Sequence, residues 1–197
     1  LLIIDVHRSN DLFIISINME ILALIPARGG STGIKQKNIL NLGGKPLIQY
    51  SIDSAKNSKK ITRIVVSTDD PKIKKISQSL SAEVPFLRPK KFAKKNSLMI
   101  DVIKHTLNSL KSKFSYCPDI VSLLQPTTPF RNTSIIDLSI NQLIKSNATS
   151  VISVSPIRQH PLISFWYIDN FLKSFSPYSE KNSNRQNITL RFGFEVY

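Results

Sequence analysis

Three features of the chain predict an α/β fold with a mostly parallel sheet and helices on both faces. Short apolar runs at Ile21–Ile25, Ile61–Ser67 and Ile120–Leu124 alternate with stretches whose apolar residues recur at helical spacing. Each run leads into a loop built from Gly, Pro, Ser, Thr or Asp, the punctuation that ends a strand. At 197 residues, 41% of them hydrophobic, the chain is also long enough to bury a core.

Taken in order, residues 1–18 hold two apolar runs, Leu1–Val6 and Leu12–Ile17, separated by polar His7–Asp11. Asp5, Arg8 and Asp11 break any signal-peptide core, and no small-residue cleavage site follows. We read Met19 as the native start and 1–18 as an upstream extension; the competing reading is an extra edge strand. Pro46 opens a helix with Ile48, Ile52 and Ala55 on one face, because its missing N–H costs nothing there. Ile61–Ser67 is the second strand, ending at Ser67-Thr-Asp-Asp70. Pro71 begins a helix that buries Ile73, Ile76 and Leu80. Glu83–Leu87 reads as a short strand, and Met99–Leu110 as a helix carrying Ile103, Leu107 and Leu110. Ile120–Leu124 runs into Gln125–Arg131; Ile136, Ile140 and Leu143 mark a further helix, and Val151–Val154 a further strand. The resulting divisions are an extension (1–18), a nucleotide-binding α/β domain (19–164) and an incomplete region from Phe165 to Tyr197, where a hairpin with a long Ser/Asn/Lys-rich loop is expected.

The formal charge is +14, from 27 Lys+Arg against 13 Asp+Glu. An anionic substrate fits that balance as well as nucleic acid does. The lysines are scattered, and the groups at Lys72/Lys74/Lys75 and Lys90/Lys91/Lys94/Lys95 lack the interleaved aromatics of a single-strand platform, so they read as solvated surface. Neither a nucleic-acid nor a membrane partner is therefore expected. The single cysteine, Cys117, excludes an internal disulfide framework and fits a reducing, cytoplasmic setting. No run approaches the roughly 20 apolar residues that cross a bilayer.

The chemistry concentrates after the first buried run. Pro26 ends the ladder, and the loop that follows has Gly29, Gly30 and Gly33, hydroxyls at Ser31 and Thr32, and cations at Arg28, Lys35 and Lys37. Glycines let a backbone approach a ligand with its amides inward, and Arg and Lys add full charges for phosphate oxygens. The spacing is neither G-x-x-x-x-G-K-[ST] nor G-x-G-x-x-G. On spacing alone, a basic surface turn after a core strand is the alternative.

Leu24-Ile-Pro-Ala-Arg-Gly-Gly-Ser-Thr-Gly-Ile-x-x-Lys-Asn38, followed by Leu42-Gly-Gly-Lys-Pro-Leu-Ile48, resembles the opening of the acylneuraminate cytidylyltransferases. Val65-Val-Ser-Thr-Asp-Asp70, Glu83-Val-Pro-Phe-Leu-Arg-Pro89 and Leu123-Leu-Gln-Pro-Thr-Thr-Pro-Phe-Arg131 extend the likeness in the same order, from about Glu20 to about Gln186. The resemblance implies a Rossmann-like nucleotide-diphospho-sugar transferase fold. It also implies transfer of CMP from CTP to a nonulosonic acid with release of pyrophosphate, dependence on Mg²⁺, and a homodimer built partly by the region after Phe165.

By the same resemblance, Arg28 and Lys37 are the catalytic, triphosphate-binding cations, with Gly29, Gly30, Ser31, Gly33 and Asn38 around the nucleotide. Thr32 stands where lysine is usual. Arg88 resembles the arginine that approaches cytosine, and Ser97 a second base contact; the other reading of Ser97 is a helix N-cap. Gln125, Thr127, Thr128 and Arg131 fall in the sugar and nucleotide motif. His160 and Arg185 match sugar-site positions, although a structural role is the alternative for His160. Asp69 is a weak metal candidate that competes with a capping role. The family's Asn-Gly-Ala-Ile-Tyr-Ile segment and its paired metal-binding aspartates do not follow Arg185-Gln186. The rival expectation is thus a truncated remnant that only binds nucleotide. A transferase using UTP or GTP and a nucleic-acid module are further alternatives.

Overall fold

The computed structural model describes residues 1–6, 19–31, 33–146, 148–156, 165–174 and 192–193. The chain divides into two compact units, Leu1–Ile152 and Ser153–Tyr197, ahead of the break expected after residue 164.

The first unit is built on a five-stranded sheet. Its strands are β1 (Leu2–Asp5), β2 (Ile21–Pro26), β5 (Arg63–Ser67), β6 (Ile120–Leu123) and β7 (Ser150–Ile152), in the spatial order β5-β2-β6-β1-β7. β2 pairs in parallel with both β5 and β6, from Leu22 opposite Arg63 to Pro26 opposite Ser67 on one side. The carboxyl ends of these three strands therefore share one edge, where open α/β sheets bind ligands.

Alternation along β2 explains why helices cover both faces. Ile21, Ala23 and Ile25 join the cluster that includes Ile48, Ile52 and Ala55 of α1 (Leu47–Lys56), Ile73 of α2 (Pro71–Ser79) and Ile136, Ile140 and Leu143 of α4 (Thr133–Lys145). Leu22 and Leu24 point the other way, into a cluster with Ile103 and Leu110 of α3 (Met99–Phe114). Leu24 is fully buried, and each such side chain contributes about 1.5–3 kcal/mol relative to exposure.

Two expectations are corrected. Leu2–Asp5 does not form an edge strand: β1 lies inside the sheet, antiparallel to both β6 and β7, with Ile3 fully buried. Its residues alternate between the clusters, Ile3 on one side and Leu2 and Ile4 on the other, which is what an interior slot requires. Glu83–Leu87 is not a regular strand but a pair of parallel bridges, Val65 to Glu83 and Thr68 to Leu87, flanking Pro85, which has no N–H for a ladder.

Between β2 and α1, the short strands β3 (Asn41–Leu42) and β4 (Lys45–Pro46) form a hairpin around Gly43 and Gly44. Their φ values of 57° and 87° explain the Gly-Gly pair in this motif, since other residues are strained there. In the second unit, β9 (Phe165–Ile168) and β10 (Phe171–Ser174) form a hairpin turning at Asp169 and Asn170, both with positive φ. β8 (Ser155–Pro156) pairs with β11 (Phe192–Gly193).

Candidate nucleotide-binding site

The loop after β2 is tied to itself. The Asn38 side-chain amide donates to the Arg28 carbonyl (2.9 Å), and Asn38 is buried. Ser31 Oγ accepts from the Lys37 amide (3.1 Å) and donates to the Ile34 carbonyl (2.6 Å). These bonds close the loop, so Arg28 and Lys37 are presented from its two ends rather than from a flexible arm. The Gly29 amide donates to Asp69 Oδ1 (3.0 Å), joining this loop to the one after β5. A Cβ on Gly29 would lie 2.7 Å from the Asp70 Cβ, so only glycine permits that approach. Gly29→Ala should therefore lower the thermal midpoint by several degrees and weaken nucleotide binding together; unchanged values of both in a melt and a titration would contradict the packing.

The two aspartates after β5 divide their tasks. Asp70 is the N-cap of α2, its Oδ1 accepting from the amides of Lys72 (2.7 Å) and Ile73 (3.4 Å). Asp69 is neither cap nor member of a metal cluster: it braces Gly29, and the described residues contain no group of three His, Cys, Asp or Glu able to hold a metal.

Arg88 is 5% exposed and sits beneath the site. Its Nη2 donates to the Ser67 carbonyl (2.9 Å) and its Nη1 to the Phe92 carbonyl (3.4 Å), while Nε is buried without a partner. Burial pushes its pKa below the usual arginine value; nearby Asp69 opposes that shift and Arg28 adds to it. The guanidinium stays charged. The donor fork expected to face cytosine is thus already anchored on two protein carbonyls, which leaves the second proton of each Nη uncommitted.

The Gln125 loop leaves β6 at the same edge. The Gln125 carbonyl accepts from Ser51 Oγ (3.3 Å), the Thr128 amide (3.3 Å) and Arg131 Nη2 (3.2 Å). Arg131 therefore holds the loop from behind, and Thr128 closes a turn with its side chain outward.

A cleft of about 430 Å³ opens between these loops. Arg28, Ser31, Gly33, Lys37, Asn38, Arg88, Ser97, Gln125 and Thr127, each expected at the site, all line it. Gly29, Gly30, Thr128 and Arg131 do not. Lys35 is exposed and outside it. His160 and Arg185 lie outside the described residues. Ser97 is not the N-cap of α3, a position held by Leu98; its Oγ accepts from the Lys94 amide (3.0 Å) and donates to the Lys91 carbonyl (3.2 Å). Sequence reasoning missed the apolar wall of Phe92, Met99 and Val102, and also Lys94 and Lys95. The three-residue spacing of Met99 and Val102 on α3 was the available signal for the former.

His105 stacks behind Phe92, 4.9 Å between ring centres, and meets Phe86 edge-on. Burial holds its pKa below the ordinary histidine value, helped by Arg88, Lys91 and Lys113. A depressed folded-state pKa means full stability above the unfolded value of about 6.5, and loss as pH falls through the folded one. The melting temperature should drop below about pH 6.5, less steeply in His105→Gln.

A strand-edge cleft with a tied Gly-rich loop, several cations and an apolar wall defines an α/β protein with a site suited to an anionic ligand. The profile of the cytidylyltransferase family matches residues 22–168, and the chain belongs to that family. It is 43% identical over 146 residues to the CMP-N,N'-diacetyllegionaminic acid synthase of Legionella pneumophila, covering 73% of this chain and 61% of that protein. It is 32% identical over 177 residues to an N-acylneuraminate cytidylyltransferase of Escherichia coli, covering 84% and 39% respectively. Among solved structures, a CMP:2-keto-3-deoxy-manno-octonic acid synthetase complexed with CTP matches with a TM-score of 0.56 and 21% identity, over 66% of this chain and 49% of that one. That likeness speaks for the Rossmann-like fold. The chain spans 61% and 39% of the lengths of the two sequence relatives.

Proposed function

We propose that the cleft binds CTP and that the protein transfers CMP to a nonulosonic acid, in the cytoplasm, with release of pyrophosphate. The observation that carries this reading is the convergence of Arg28, Lys37, Arg88 and Gln125 on one cleft, from the loop after β2, the bridged segment after α2 and the loop after β6, together with membership of the cytidylyltransferase family. In the reaction the anomeric hydroxyl of the sugar attacks the α-phosphorus, the bond to the bridging oxygen breaks, and pyrophosphate departs with the electron pair. Such a step needs in-line positioning and charge neutralisation more than covalent help. Arg28 and Lys37 supply that charge to the phosphate oxygens, Arg88 donates toward the base, and Gln125 and Thr127 hold the acceptor side.

The resemblance also implies Mg²⁺. The cleft residues offer guanidinium, ammonium, amide and hydroxyl groups but no carboxylate, so this set does not fit a protein-held Mg²⁺, which prefers oxygen ligands including carboxylates. The homodimer has a physical candidate in the β9–β10 hairpin, where Phe165, Tyr167, Phe171 and Leu172 are all exposed. Sedimentation as a monomer at micromolar concentration would count against it.

A coupled pyrophosphate assay with CTP and a panel of nonulosonic acids tests the reading. Turnover with CTP well above that with UTP or GTP is expected. Binding of all four nucleotides with equal affinity would overturn the base assignment.

A further inference from the structure

Lys94 and Lys95 belong to a run that composition assigns to solvated surface, and both are exposed, but they also line the cleft. We propose that they form a second cationic wall that grips the phosphate chain of the bound nucleotide, an assignment that rests on the CTP reading above. Three observations support it.

The turn that carries the lysines is fixed. Ser97 Oγ accepts from the Lys94 amide (3.0 Å) and donates to the Lys91 carbonyl (3.2 Å), and the Ser97 amide donates back to the Lys94 carbonyl (3.2 Å). Ser97 is thus a positioning residue for the turn, because its hydroxyl proton is spent on the backbone. A turn held in this way loses little freedom on engaging a ligand.

No carboxylate lines the cleft, and Asp69, which acts on Arg88, lies outside the lining with its Oδ1 on the Gly29 amide. The two ion pairs recorded among the described residues, Lys45–Asp53 and Arg63–Glu83, lie elsewhere. Cations gathered without counter-charge repel one another and are stabilised by an anion that enters between them.

The charges are also sufficient in number. Besides Arg88, which is anchored on two backbone carbonyls, Arg28, Lys37, Lys94 and Lys95 bring four positive charges to the lining. A nucleoside triphosphate carries about four negative ones, roughly two of them on its terminal phosphate. Side chains alone can therefore neutralise the phosphate chain during binding.

The test is titration calorimetry at low salt in EDTA, with CTP, CMP and inorganic tripolyphosphate as separate ligands. The wild-type protein is compared with Lys94→Gln/Lys95→Gln, with Ser97→Ala, and with Lys35→Gln as a surface-charge control. The double variant should lose at least about tenfold in affinity for CTP and for tripolyphosphate, the loss expected for charge-assisted bonds. Its affinity for CMP, which lacks the outer phosphates, should change by less than about threefold, and higher salt should shrink the CTP difference. Ser97→Ala should show part of the same CTP-selective loss, and Lys35→Gln almost none. Equal CTP affinity in the wild type and double variant would overturn the proposal, as would equal losses for CTP and CMP. Tripolyphosphate binding that depends on the lysines, without any CTP binding, would instead sink the nucleotide reading and leave the cationic wall standing.

Discussion

Replacing Arg28 by alanine should weaken CTP binding by about thirtyfold or more, while Lys35→Ala changes it by less than about twofold. Both residues are cations of the same glycine-rich loop, so composition cannot separate them. Geometry does. Arg28 lines the cleft and its carbonyl is held by the buried Asn38 amide, whereas Lys35 is exposed beyond the turn at Gln36, which has a φ of 54°. The substitution keeps the Arg28 backbone carbonyl and hence the bond from Asn38, so the loop should survive and the loss should be one of charge. Titration calorimetry on the folded variants reads this directly. Similar losses at both positions would mean that the loop attracts nucleotide only through its general field.

The second large effect concerns stability. Ile3 is fully buried inside the sheet, and truncation at such a site costs about 2–5 kcal/mol, so Ile3→Ala should lower the chemical-denaturation free energy by that amount. Deleting residues 1–18 should do more. It would remove the strand that pairs Leu2 with both Leu123 and Ile152, leaving β6 and β7 with unsatisfied ladders on facing sides. We expect loss of a single cooperative transition in that deletion. If it unfolds like the full chain, residues 1–18 are dispensable and β1 adds nothing to the native sheet.

How much of this was legible in the sequence depended on the range of the interaction concerned. Buried runs and helical periodicity are local, so β2, β5, β6 and the four main helices were readable from spacing, with Ile136, Ile140 and Leu143 buried as their pattern required. The Pro71 helix start was legible for the same reason, since proline acts within one turn, but the cap expected of Asp69 falls to Asp70. β1 was not legible in place, because its two partners lie far along the chain and only tertiary pairing gives it an interior slot. At the site, motif order pointed to Arg28, Lys37, Arg88 and Gln125. Motif order could not show that Arg131 faces back to the Gln125 carbonyl, or that Asp69 is spent on Gly29, because each depends on where a second loop comes to rest. Lys94 and Lys95 were hidden for the opposite reason: lysine-rich stretches usually are solvent-facing, and the topological edge that reveals them is a property of the assembled sheet.

The interior position of β1 also bears on how the chain reaches its native state. A strand synthesised well ahead of its partners must wait until both neighbours have left the ribosome, since Ile152 is among them. Contacts of such sequence separation slow folding, and the apolar Leu2-Ile3-Ile4 run stays open to other chains in the interval. Recovery of soluble protein should therefore respond to chaperone supply and translation speed more than to the thermodynamics of the finished fold.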